Sequence, residues 1–90
     1  MDEIKLGQQQ ARGVKAQELL DSDSLKEVFK YLTDEYLNAW RNTRVRDTEV
    51  REKLWQAIHI VGLVQNHLEK WAVDGRIATK DLASIKYLKR

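Results

Sequence analysis

Between residues 50 and 71, the apolar side chains Val50, Leu54, Ala57, Val61, Val64, Leu68 and Trp71 follow one another in alternating steps of four and three. Only an α-helix places such a series along a single stripe, and a stripe repeating every three and a half residues is the seam by which one helix packs on another. The chain therefore has to fold as packed helices. Nothing elsewhere competes with this, since there is no proline, there are only four glycines, and alternating β-branched runs are missing. Strands and hairpins lack the residues that would start and end them.

Other stretches read as helices feeding the seam. From Ile4 to Leu20, Ala11, Val14, Ala16, Leu19 and Leu20 give an imperfect apolar face, with Gly13 costing about 1 kcal/mol relative to alanine. Residues 1–10 are expected to fray or to order on a partner. Asp21 to Ser24 break the pattern, and Ser24 with Glu27 has the spacing of a capping box opening a second helix. In that helix Leu25, Val28, Phe29, Leu32, Tyr36, Ala39 and Trp40 are helically spaced, opposite Lys26, Lys30, Thr33 and Asp34. Residues 42–46 lack periodicity and lead to Asp47, an N-cap residue for the helix that carries the seam. Asp74 and Gly75 predict its end, with glycine as the left-handed closing residue. A short final helix over about Thr79 to Leu88 follows, presenting Leu82, Ile85 and Leu88. The expected fold is all-α: a helical hairpin or a small three-to-four-helix bundle with one long central helix. It is read as one helical domain over residues 1–90, with 79–90 as the short C-terminal helix.

Residues 48–74, rising about 1.5 Å each, make a rod of roughly 40 Å. A compact chain of 90 residues is only about 30 Å across. The rod is therefore expected to expose apolar surface. With 100° per residue, Ile60 and Trp71 flank one edge of the seam, Ile58 flanks the other, and Trp55 and Leu63 fall well round toward the polar side. Trp55, Leu63 and Trp71 are the candidate protein-contact residues, in a chain expected to self-associate or to bind a partner. In the competing reading, Trp40, Trp55 and Trp71 are core aromatics of a monomeric bundle. Gly62 marks either a close helix crossing or a bend.

Composition removes several chemistries. With 42% hydrophobic and 33% charged residues the chain is of globular type, and without cysteine it holds no disulfide or thiolate metal site. The start Met1, Asp2, Glu3 is acidic and no long apolar run follows, so neither a signal peptide nor a membrane span is expected. His59 and His67, eight positions apart, do not share the geometry of a metal pair and are expected to face solvent. Ser22, Ser24 and Ser84 have no neighbouring base, and there is no glycine-rich phosphate loop. No enzymatic activity and no cofactor are expected.

Charge leaves a second class open. The net charge is +2, but residues 1–40 hold 5 basic and 8 acidic side chains whereas residues 76–90 hold 5 basic and 1 acidic. Arg41, Arg44 and Arg46, with Arg51 and Lys53 beyond, cluster beside Trp40 and are the phosphate-contact candidates. Asp47, Glu49 and Glu52 are interleaved with them, and no helix-turn-helix turn precedes a recognition helix. Nucleic acid is thus a possible partner but not the favoured one. Glu49 with Lys53, and Asp47 with Arg51, are spaced as helical ion pairs.

Three stretches, ARGVKAQELLDSDSLKEVF, YLNAWRNTRVRDTEVREKLW and HLEKWAVDGRIA, carry a resemblance over about residues 11–78. They resemble a group of small helical proteins of tailed bacteriophages and prophages, encoded among head, portal and packaging genes. The residues that carry it are Leu19-Leu20-Asp21, Trp40, Arg46-Asp47, Arg51 to Trp55, His67-Leu68 and Gly75. The resemblance implies a non-enzymatic structural or assembly role in the virion or host cytoplasm, in several copies, against other phage proteins or itself. It defines no catalytic residue. A DNA-associated packaging factor resembling a small terminase subunit is the alternative, and a phage inhibitor of a host protein is a third.

Overall fold

The structure, a computed structural model, describes residues 2–88 and consists of three helices: α1 (Asp2–Asp21), α2 (Asp23–Arg41) and α3 (Thr48–Leu88). The chain is all-α with one long helix, as the seam requires. Among the described residues no helix is long and apolar enough to cross a membrane.

Several local features differ from the sequence reading. Residues 2–10 are helical and belong to α1. Ser22, not Ser24, caps α2: it alone leaves helical geometry, its Oγ accepts a 3.3 Å hydrogen bond from the Leu25 N–H, and its carbonyl accepts from Lys26 at 3.0 Å. Because α1 runs through Asp21, a single extended residue suffices for the break and the capping-box register is lost. At the other end, α3 does not stop at Asp74 and Gly75. It continues for 41 residues, and no described glycine has a positive φ, so Thr79 to Leu88 is the end of α3 and not a separate helix. The physical reason lies in what Gly75 touches.

The chain divides into two compact units, both of which draw on α3. In unit 1, α1 lies antiparallel to the part of α3 from His67 onward. Gly13 meets Gly75 so closely that a methyl group built on Gly13 would stand 2.6 Å from the Gly75 Cα and 2.8 Å from the Trp71 carbonyl oxygen. Gly75 is a crossing residue, where the missing side chain lets two backbones touch. Around it Ala16, Leu68, Ala72 and Ala78 are buried. One edge is pinned by Gln10 donating to the Thr79 hydroxyl at 3.0 Å and by Arg76 donating to the Gln17 side-chain oxygen at 3.1 Å. On the other edge the Arg12 guanidinium lies 4.9 Å from the centre of the Trp71 ring.

Unit 2, Ser22–Asn66, is an α-hairpin in which residues 42–47 reverse the chain, so that α2 and the start of α3 run antiparallel. Leu25, Phe29, Leu32, Tyr36, Leu37 and Trp40 on α2 and Leu54, Ala57, Ile58 and Val61 on α3 are half-buried, but no residue of this unit is fully buried. The turn is locally ordered. Asp47 occupies the N-cap position, its carbonyl accepting from Arg51 at 3.0 Å while its carboxylate accepts the Arg44 N–H at 3.1 Å. Arg51 stacks 4.0 Å from the Trp40 ring centre and donates to the Thr43 hydroxyl at 2.8 Å, and that hydroxyl donates in turn to the Trp40 carbonyl at 2.6 Å. Arg51 is thus held by an aromatic face and a hydroxyl, not by the Asp47 ion pair its spacing had proposed. Lys53 does pair with Glu49, at 3.4 Å.

Candidate protein-interaction surface

The functional question concentrates on unit 2, because its helices carry more apolar side chain than they cover. Two members of the seam, Val50 and Val64, are exposed. Ile60 and Leu63, beside them on α3, are exposed as well, and so are Val28 and Tyr31 on α2. Three of them, Val28, Ile60 and Val64, share one flank of the hairpin. In an antiparallel helix pair, side chains rotated the same way from the contact line on each helix emerge on the same side of the pair. The half-buried residues of α2 centre near Phe29 and Tyr36; Val28 lies anticlockwise of that line, whereas Tyr31 stands nearly opposite it. On α3 the half-buried residues centre near Leu54 and Val61; Ile60 and Val64 lie anticlockwise of theirs, whereas Leu63 stands nearly opposite it.

Register brings the two sets level. Counting from the Arg51–Trp40 contact near the turn, Tyr31 falls opposite Ile60 and Val28 opposite Leu63. Val28, Ile60 and Val64 are 50, 58 and 47% exposed, which leaves apolar side chain uncovered along this flank. The charges beside these residues are Glu35 on α2 and, on α3, Lys53 with its ion-pair partner Glu49. Glu35 accepts a hydrogen bond from the Tyr31 hydroxyl, and this bond, with the carboxylate charge, raises the tyrosine pKa above its ordinary value.

The structure does not gather the three sequence candidates into one patch. Leu63, 47% exposed, stands on the outer side of α3, nearly opposite Leu54. Trp55, 58% exposed, lies on the flank of α3 opposite Ile60 and Val64, where it stacks on His59 with ring centres 5.4 Å apart. Trp71 belongs to unit 1, half-buried beneath Arg12 and in edge contact with His67 at 5.8 Å. Both histidines are exposed and each lies against a tryptophan one turn away. Gly62 lies at neither a crossing nor a contact, since nothing approaches a methyl group built on it within 4 Å. Val28, Tyr31 and Ile60 were not singled out as contact residues, although the signal was present: on both helices the apolar stripe is wider than one neighbour covers.

Arg41, Arg44 and Arg46 are all exposed around the turn. Of the five basic residues expected there, Arg51 and Lys53 are engaged within unit 2 as described above. Among the described residues no group of three or more His, Asp or Glu side chains is placed to hold a metal ion. One open surface cleft of about 520 Å³ in unit 1 is lined by Lys5, Leu6, Gln9, Asp81, Ser84 and Ile85. Compared with family models, with curated proteins and with solved structures, the chain matches none of them.

Proposed function

We propose that this chain is a non-enzymatic assembly protein that works through helix-mediated protein contacts, with the α2–α3 hairpin as its contact element and several copies acting together. The observation that carries this reading is the hairpin's packing. It has no fully buried residue, yet Val28, Tyr31, Val50, Ile60, Leu63 and Val64 stand exposed along it. Such surface costs free energy in water and is recovered when another protein covers it. The resemblance over residues 11–78 supports a setting in a tailed-phage particle or its assembly intermediates, with phage proteins as partners. Photo-crosslinking in phage-producing cells tests the proposal. A photoreactive side chain at Ile60 should give protein adducts detectable in purified particles by mass spectrometry, and one at Glu52 should give few. Equal yields at both positions, or none at Ile60, would argue against the hairpin as a contact element.

A second reading has its own observation. Arg41, Arg44 and Arg46 are all exposed at the turn, which favours loose contact with phosphates and hence a packaging factor associated with DNA. Titrating duplex DNA at rising salt tests it. Binding that weakens steeply with salt, and is lost when the three arginines become alanine, supports the packaging role; no affinity at low salt removes it.

A further inference from the structure

The two flanks of the hairpin are chemically unlike, and we infer that the one bearing Trp55 binds single-stranded nucleic acid, with Lys26, Lys30 and Arg41 on the phosphates and Trp55 as the platform on which a base stacks. This rests on the phosphate-contact reading of the turn, not on the protein-contact reading, and adds to it a form of nucleic acid, a path along α2 and a stacking residue.

Placement comes first. At 100° per residue, Lys26, Lys30, Leu37 and Arg41 lie roughly 60–130° clockwise of the α2 contact line, and Trp55, Gly62 and Asn66 lie within the same range clockwise of the α3 line. Because the helices run antiparallel, both sets emerge on one flank, the one away from Val28, Ile60 and Val64. Counting from the Arg51–Trp40 contact, Trp55 falls level with Tyr36, about midway between Arg41 and Lys30, while Gly62 falls beside Lys30 and Asn66 beside Lys26. From Lys26 to Arg41 the flank runs about 22 Å. That is room for about four nucleotides, the lower end of single-strand site sizes. Nothing approaches within 4 Å of a methyl group built on Gly62, so a strand meets bare helix backbone there.

Charge and an aromatic face then name the occupant. Lys26, Lys30 and Arg41 are exposed, and among the described residues none of them is held in an ion pair. Asp34 stands at the outer margin of this flank and Asp23 beyond Lys26 at its far end, whereas Glu27 and Glu52 point outward and Glu35 and Glu49 lie on the other flank. An anion drawn along α2 therefore meets three cations and one carboxylate between Lys26 and Arg41. Arg51 is not among the three, being held by the Trp40 ring and the Thr43 hydroxyl. His59 stacks on Trp55 with the rings 9° from parallel, which fixes the indole, and at 58% exposure the indole keeps surface for a further planar partner. An acidic peptide would satisfy the cations and leave the indole unused. A duplex covers the faces of its bases with their neighbours, so only an unpaired strand offers both phosphates and a free base face.

Fluorescence anisotropy of a short, labelled single-stranded DNA of mixed sequence, titrated with the purified chain at low salt, tests the inference. The strand should bind more tightly than the same sequence as duplex. Trp55→Ala should weaken it about tenfold, and Trp55→Phe should keep most of the affinity. Lys26→Ala combined with Lys30→Ala should lower the slope of log affinity against log salt by about 1.4. Lys53→Ala, which removes a cation from the other flank, should leave affinity and slope unchanged. Circular dichroism checks that each variant is folded, and the lysine pair keeps the inference testable should Trp55→Ala not fold. No affinity for the strand at low salt overturns it, as does equal binding of duplex or of a polyglutamate peptide, or strand binding indifferent to Trp55→Ala. The packaging reading fails separately: duplex binding that needs Arg41, Arg44 and Arg46 but not Trp55 keeps that reading and removes the single-strand inference, whereas strand binding without affinity for duplex does the reverse.

Discussion

In unit 1, glycine faces glycine and the buried positions are mostly alanines; in unit 2, the facing residues are Phe29, Tyr36 and Trp40 against Leu54, Ile58 and Val61, and none of them is fully buried. The half with the larger apolar side chains is thus the half with the less complete core. Small residues let two backbones approach until water is excluded between them, whereas large ones hold a pair of helices apart and cover each other on one side only. A two-helix contact is closed by small side chains and left open by large ones. Openness in unit 2 is therefore a consequence of its residue sizes, and it is what makes the hairpin a candidate contact element.

The comparison is broken most severely by adding one methyl group. Gly75→Ala places a Cβ 2.7 Å from the Gly13 Cα and 3.2 Å from the Gln9 carbonyl oxygen, both backbone atoms that cannot rotate away. It should lower stability by about 2–4 kcal/mol despite alanine's better helix propensity. Gly62→Ala, which meets nothing within 4 Å, should instead raise stability by up to about 1 kcal/mol. Urea midpoints moving in opposite directions check both; a harmless Gly75→Ala would mean that the close crossing is not formed.

Leucine truncation comes next. Leu68, 9% exposed, should cost about 2–4 kcal/mol as alanine, while half-buried Leu54 should cost only about 1–2 kcal/mol. Equal losses, measured at concentrations low enough to keep the chain monomeric, would erase the difference between the units. Caps are smaller still. Ser22→Ala should cost about 1 kcal/mol and Ser24→Ala close to nothing, the reverse of what the capping-box spacing implies.

The smallest effect is electrostatic. With its folded pKa raised by Glu35, Tyr31 contributes stability below its unfolded pKa and loses that contribution as pH rises through the folded value, at the alkaline end of the range. Ultraviolet titration should show Tyr31 ionising later in the wild type than in Glu35→Gln; coincident curves would place the carboxylate elsewhere.

Much of this architecture was legible in the residues. The seam from Val50 to Trp71 announced the long helix, and the aperiodic stretch before Asp47 announced the turn. What misled was glycine. In sequence, Gly75 after Asp74 reads as a helix end, and Gly13 reads as a weak point in α1; in space each is the other's partner. Nothing in either local stretch reveals that, because the reason for a missing side chain at one position lies 62 residues away. The candidate surface was legible in part. A stripe too wide for one neighbour could be read from the angular positions of Ile60, Trp55 and Leu63, whereas the stacking of Trp55 on His59 and the place of Trp71 beneath Arg12 could not.

Sequence by itself determined the helices, since hydrogen bonds within a segment and apolar spacing along it are local properties. It also determined that some apolar surface would be left over. Which side chains make it up, Val28 and Ile60 on one flank of the hairpin and Trp55 on the other, was decided only by tertiary structure. Exposure depends on which helix lies alongside and how closely side-chain size allows it to approach, and neither quantity is written in any one segment.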